Sequence, residues 1–199
     1  MKLKRSEWKV ATIGFDVSSR LVRTFHYAKG HSKQSVALHG LFMACDDYNA
    51  LPFGVCWWIP PATPSAARYA SKDFKNVLSL SRMVITPDAP KNAASFLLAA
   101  SIKLLPERYH TLVTYADTWR GHVGTIYKAS NWVYDGLTEK KAVWVDANGV
   151  MTSNRRGDKT LTFAEMEQYT LLGKFAKHRY FFYRDKVKSK QLDLFEKAA

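Results

Sequence analysis

The segment TYADTWRGHVGTIYKASNWVYDG (114–136) crowds together groups able to do chemistry. Asp117 closes a short apolar run, TLVTYAD (111–117), that reads as a strand, and open α/β sheets place ligand-facing residues at the C-terminal ends of their strands. His122 and Tyr127 follow it, and Gly121 and Gly124 keep the intervening turn thin enough for a ligand or another backbone to approach closely. Taken singly, each has an ordinary structural reading: Asp117 caps a turn, Tyr127 packs in a core, His122 sits on the surface. Their concentration in so few residues points to a site. His26–Tyr27 is a second candidate. A histidine with a carboxylate and an oxygen donor is chemistry for non-haem iron or a similar divalent ion, provided the pair folds against Asp117. His31, His39, His110 and His178 show no ligand spacing with one another, so no structural zinc site is expected.

Two further stretches suit anions. The strand-like VLSLSRMVI (77–85) leads through TPDAPKN into NAASFLLAASIKLL (92–105), which has high helix propensity. Lys91 and the backbone N–H groups of Asn92, Ala93 and Ala94 would then meet at a helix start suited to a phosphate or pyrophosphate; an ordinary capped helix is the alternative. Neither GxGxxG nor GxxxxGKS is present, so no dinucleotide fold or P-loop is supported. KFAKHRYFFYRDKVKSK (174–190) interleaves seven basic residues and one acid with five aromatics, a composition suited to tracking phosphates and stacking on bases. At strand alternation Tyr180 and Phe182 share one face and Phe181 and Tyr183 the other, so base stacking is open to at most one pair.

The elements that must position these groups follow from pattern. DVSSRLVRTFHY (16–27) has a helical apolar stripe with Asp16 as N-cap. SVALHGLFMAC (35–45) and LPFGVCWWI (51–59) read as a hairpin, and the prolines after it open an irregular segment to about residue 76. Residues 121–130 read as a helix, 131–136 and 141–149 as strands, 162–172 as a short helix and 178–184 as a last strand. Helix, hairpin, strand, helix, strand, helix, strands is a mixed α/β (α+β) order, a sheet covered by helices.

The chain has 199 residues, 47% of them hydrophobic, enough for one cored domain over 1–199. Its net charge of +13 is uneven: residues 1–34 carry +6, residues 151–199 carry +5, and the long middle only +2. A near-neutral body with basic N-terminal (1–34) and C-terminal (174–199) segments suggests a polyanion along one edge, nucleic acid first; a solvated surface or a contact with an anionic membrane is the alternative. Cys45 and Cys56 are read as a buried pair of thiols in a reducing cytoplasm. MKLKRSEWKV has no apolar run of a signal peptide, and no long uncharged apolar stretch suggests a membrane span, so a cytoplasmic location is expected. A dimer through outer strands is open.

LSRMVITPDAPKNAASFLLAASIKLL followed by YADTWRGHVGTIYKASNWVYDGLT, with HY after the first helix and KHRYFFY near the end, resembles the Mom family of bacteriophage DNA-modification proteins. The resemblance runs over about 15–185 and implies an acetyltransferase-like (GNAT) fold. It implies conversion of adenine in double-stranded phage DNA to N6-(methylcarbamoyl)adenine, which protects the genome from host restriction. It places Arg82, Asp117 and Tyr127 in the catalytic cleft. Arg82, Met83, Val84, Lys91, Asn92, Ala93, Ala94 and Tyr127 would line the site for acetyl-CoA or a related acyl donor, although TPDAPKNAA stands in place of the usual Q/RxxGxG/A loop. It implies an Fe(II) or similar divalent-metal pocket of His26, Tyr27 and Asp117. Lys174, Lys177, Arg179, Lys186 and Lys188 would hold DNA. The product joins N6 to the methyl carbon of an acetyl unit and adds a nitrogen, chemistry for which a redox metal offers a route. Adenine N6 lies at the major-groove edge of a duplex, so extruding the base would present it for reaction. A generic acyl-CoA N-acetyltransferase and a non-catalytic DNA-binding accessory protein are the competing readings.

Overall fold

The computed structural model describes residues 2–47, 50–152, 155–156 and 159–184. Its centre is a seven-stranded sheet built from β1 (Trp8–Thr12), β2 (Ala37–Met43), β3 (Gly54–Ile59), β4 (Val77–Ile85), β5 (Thr111–Asp117), β12 (Lys177–Tyr183) and β6 (Val133–Leu137), in that spatial order. Every pairing is antiparallel except β4 with β5. Among the described residues five α-helices accompany it: α1 (Phe15–Phe25), α2 (Pro64–Ala70), α3 (Ala93–Leu104), α4 (Thr125–Ala129) and α5 (Phe163–Met166). Between β6 and β12 the chain forms a smaller sheet of β7 (Lys141–Val145), β8 (Met151–Thr152) and β11 (Thr170–Phe175), and a two-residue ladder of β9 (Arg155–Arg156) with β10 (Lys159–Thr160).

The core lies on both faces of the main sheet. Leu97, Leu98 and Ile102 of α3 pack over Leu41, Trp58, Leu78 and Leu112, while Leu21 and Val22 of α1 pack over Val55, Trp57 and Val84 on the other face. α3 is apolar almost all round because it is buried along most of its length, whereas α1 concentrates its apolar residues in a stripe. Tyr180 and Phe182 join the α3 side, Phe181 and Tyr183 the opposite side. Both faces of β12 are therefore core, which removes these rings from any base-stacking role expected of them.

The strands at 77–85 and 111–117, the hairpin and the helix from about residue 92 stand where the sequence puts them. Other elements differ for identifiable reasons. β1, absent from the expected order, is a short edge strand whose Lys9 turns back to the carbonyls of Ala44 and Asp46. Gly14, not Asp16, is the N-cap of α1; Asp16 sits in the first turn, where its charge still favours the helix dipole. The segment read as irregular holds α2, started by Pro64 at its first turn and by Thr63, whose side chain accepts from the Ala66 N–H. The helix expected over 162–172 stops at Met166, and its second half becomes β11 against β7. Cys56 is buried but Cys45 is exposed, so the two thiols are not a buried pair. Among the described residues no helix is long and apolar enough to cross a membrane.

Candidate active site

β4 and β5 run parallel only from Val77–Thr111 to Leu80–Thr114, then part. The separation has a local cause on β4. Trp57 pairs with Arg82 and Trp58 with Leu80, which leaves Ser81 unmatched as a bulge that bends the strand away. The backbone amides beyond the parting point face a gap instead of a ladder. That gap opens into a cleft of about 610 Å³, walled by Met83, Val84 and Ile85 of β4, Tyr115 and Ala116 of β5, the end of α1, and the turn and helix from Arg120 to Tyr127.

Asp117 lies just behind the cleft wall, joined to it through Tyr27. It ends β5 and is 5% exposed, and both of its carboxylate oxygens are engaged. Tyr27 Oη donates to Oδ2, and Lys177 Nζ stands 2.8 Å from Oδ1. Lys177 reaches it because β12 is antiparallel to β5 and the two residues are directly opposed in the register. Tyr27 reaches it because α1 ends at Phe25 and the chain leaves the helix in extended conformation at His26. The His26 ring stacks on that of Tyr27 at 4.3 Å between centroids, and His26 Nδ1 accepts the Ala28 N–H at 3.1 Å.

Burial sets the protonation states. It pushes His26 down to about 4, with the Arg82 guanidinium adding to the effect, so the imidazole is neutral at pH 7. Burial and the hydrogen bond to Asp117 push the Tyr27 phenol well above its ordinary range. Tyr127 is likewise raised, to about 12, by burial, with a hydrogen bond to Thr114 opposing the shift. Both phenols are therefore held as proton donors. Arg82 is lowered by burial and opposed by Tyr27 and Asp117; its guanidinium is fixed by Nε to the Gly30 carbonyl and Nη1 to the Ser81 carbonyl, both at 2.7 Å.

The turn after β5 requires both of its glycines. Gly121 has φ 70° and Gly124 φ 68°, and a Cβ on Gly124 would lie 2.4 Å from the Tyr180 ring, whose hydroxyl donates to the Val123 carbonyl. The close approach foreseen at these glycines is thus made by a side chain of β12. The backbone turn shortens the expected 121–130 helix to α4 and leaves Arg120, His122 and Val123 exposed on the cleft rim.

The fold thus brings His26, Tyr27, Met83, Val84 and Tyr127 to the walls of one cleft, with Asp117 behind Tyr27 and Arg82 close to both. Lys91, Asn92, Ala93 and Ala94 stand at the start of α3, outside the walls of this cleft; Asn92 is a left-handed N-cap with φ 74°, and the Lys91 carbonyl accepts the Leu3 N–H. Lys174 is exposed on β11. Lys177 belongs to Asp117, and Arg179 pairs with Asp135 and lies over Tyr69. Lys186 and Lys188 lie outside the described residues. Sequence reasoning gave Lys177 to DNA rather than to Asp117, and it passed over Trp119 and Arg120. Only the β5–β12 register could have revealed the first, while the other two stood inside the segment already singled out.

The donor types of His26, Tyr27 and Asp117 suit a divalent ion, but their arrangement does not. Both carboxylate oxygens face other partners, the tyrosine proton is committed to the carboxylate, and His26 Nδ1 holds a backbone N–H. Among the described residues no group of three His, Cys, Asp or Glu side chains is placed to hold a metal. The expected iron pocket is not formed by these side chains as they stand.

A parallel pair that splays beside a bulge, inside an otherwise antiparallel seven-stranded sheet, defines an acetyltransferase-like fold. The structure superposes on Arabidopsis thaliana NAA60 in complex with acetyl-CoA with a TM-score of 0.56 over 89% of this chain and 99% of that one, at 8% identity. The ribosomal-protein-S5-alanine acetyltransferase from Vibrio fischeri gives a TM-score of 0.53 over 93% and 97%, at 9% identity. Within that class the sequence is specific: residues 7–198 match the Mom protein family, and the chain belongs to it. It is 24% identical to the methylcarbamoylase Mom of Escherichia phage Mu, over 94% of this chain and 80% of that protein.

Proposed function

We propose that this protein is a DNA-modifying transferase that converts adenine in double-stranded DNA to N6-(methylcarbamoyl)adenine, protecting phage DNA from host restriction. The observation that carries the reading is the relationship to a methylcarbamoylase over 94% of this chain and 80% of that protein, joined to a cleft whose phenols, with a buried carboxylate behind them, fit work on an amine. In the product, N6 has lost one hydrogen and gained a bond to the carbon of a CH2–CO–NH2 group. The fold neighbour crystallised with acetyl-CoA supports an acyl-CoA donor lying in the β4–β5 gap. Unpaired strand amides beside Met83 and Val84 would hold its pantetheine arm, and Lys91 to Ala94 at the start of α3 its pyrophosphate. Asp117 accepts a proton from the amine, directly or through Tyr27, and Lys177 fixes its orientation. Tyr127, protonated and facing the same cleft, is placed to protonate the CoA thiolate as it leaves the carbonyl carbon; bonding N6 to the methyl carbon also takes a two-electron oxidant, and the terminal amide a nitrogen donor, both as co-substrates. Arg82 balances the negative charge around Tyr27 and Asp117. No step here runs through a metal, because the three candidate ligands are engaged with one another, with Lys177 and with the Ala28 N–H.

The test is mass spectrometry of nucleosides from cellular DNA after expression of the protein. A deoxyadenosine heavier by the methylcarbamoyl group is expected. Unmodified DNA, with acetylation of small amines by the purified protein, would assign it instead to the general acyl-CoA N-acetyltransferases. Metal analysis of the purified protein, and of the Lys177→Gln variant in which Asp117 is released, tests the iron pocket separately.

A further inference from the structure

The cleft has a rim that no step above uses. The turn from Asp117 to Gly124 carries Trp119, Arg120 and His122, and all three gather around Tyr27. His122 stands edge-on to the Tyr27 ring at 5.4 Å and Trp119 at 6.0 Å. The Arg120 guanidinium lies 5.4 Å from the centroid of Tyr27 and 5.1 Å from that of Trp119. Arg120 is exposed and makes no ion pair among the described residues, so a flat cation spans two aromatic rings at the mouth of the cleft. The indole Nε1–H of Trp119 is buried and has no acceptor there. Planar cations and nucleobases use the same aromatic faces, and arginine is also the side chain that takes phosphate in two-pronged fashion.

We infer that this rim is the subsite for an extruded purine nucleotide: the base stacks where the Arg120 guanidinium now lies, against Tyr27 and the Trp119–His122 side of the turn, while Arg120 swings out to the flanking phosphate. The exchange explains why a cation with no acidic partner is held over aromatic rings at a cleft mouth. It also places the amine of a purine beside the Tyr27–Asp117 pair. Gly121, between Arg120 and His122, and Gly124, after Val123, both take left-handed backbone and shape this rim. The inference rests on the proposed action at adenine and adds how the base is captured.

The experiment compares two synthetic duplexes that differ only in one position, a matched A·T pair or a single unpaired 2-aminopurine, by titration of the full-length protein. The wild type should bind the unpaired-purine duplex at least about tenfold more tightly and change the fluorescence of the purine on binding, as expected when a base moves from the duplex onto an aromatic surface. Arg120→Gln and Trp119→Ala should each lose most of that preference while matched-duplex binding changes far less. Arg120→Gln, at an exposed side chain, keeps the test valid should Trp119→Ala fail to fold. A wild type without preference, or an Arg120→Gln variant that keeps both the preference and the fluorescence change, would overturn the inference. Modified deoxyadenosine in DNA is read separately, so a failure of the reaction and a failure of base capture are distinguishable.

Discussion

The protein builds the same three-part cluster twice on one strand. At Lys177 of β12 the ammonium pairs with Asp117, which accepts from Tyr27; at Arg179, two residues on, the guanidinium pairs with Asp135, which accepts from Tyr69. Tyrosine, aspartate and cation are matched, yet the surroundings differ. The Asp117 side chain is 6% exposed and that of Asp135 27%. The first cluster opens on the 610 Å³ cleft beside the parted strands, and the second ties α2 to the outer strands, with Arg179 only 4.0 Å from the Tyr69 ring centroid. A carboxylate drawn out of water and joined to a cavity wall by a phenol can act on what the cavity holds, while one in a partly wetted strut only holds two elements together. Residue types alone do not separate a site from a brace; burial and an adjoining cavity do.

Four tests sharpen that contrast. The largest effect is expected from Asp117→Asn, which keeps the shape and removes the charge. It should abolish nucleoside modification, by roughly 10³-fold or more, whereas Asp135→Asn should leave modification near wild type. The nucleoside assay checks both, and equal activity of the two variants would erase the distinction. Tyr127→Phe comes next. Loss of one proton donor should slow modification about 10²-fold in a protein with unchanged thermal unfolding.

The third comparison crosses the cations. Lys177→Gln should cut activity about tenfold through a misoriented Asp117, with Lys177→Arg recovering part of it. Arg179→Gln should instead leave activity and lower the melting temperature by a few degrees, speeding hydrogen exchange in α2. A melting scan and exchange measurements on both variants decide it.

The smallest effect concerns pH. His26 and His39 are both held neutral by burial, each lowered to about 4, and His39 Nδ1 shares a 2.7 Å hydrogen bond with Ser101 Oγ. In the unfolded chain they take up protons near 6.5, so between that pH and about 4 the unfolded state binds more protons than the folded one. Stability should therefore be complete above about pH 6.5 and fall as pH drops toward 4. His39→Gln should flatten this slope without affecting the site, as chemical denaturation across pH would show.

Much of the site was written in the order of residues. The strands at 77–85 and 111–117, the helix beginning near residue 92, and the clustering of Asp117, His122 and Tyr127 around two glycines all follow from local pattern, since period and turn chemistry are short-range properties. His26–Tyr27 stood out as a second candidate and the family resemblance added Arg82; the fold brings all three close to Asp117. Pairing between distant segments decided the rest. Lys177 looks like a phosphate contact in a basic run, and only its place opposite Asp117 makes it a partner of the buried carboxylate. Tyr180 to Tyr183 look like a stacking platform, and only a strand with core on both faces makes them filling. Local sequence fixes what each residue is able to do, because helix and strand periods act over a few neighbours. Charge partners and burial are set by strands far apart in the chain, so they appear only when the sheet closes.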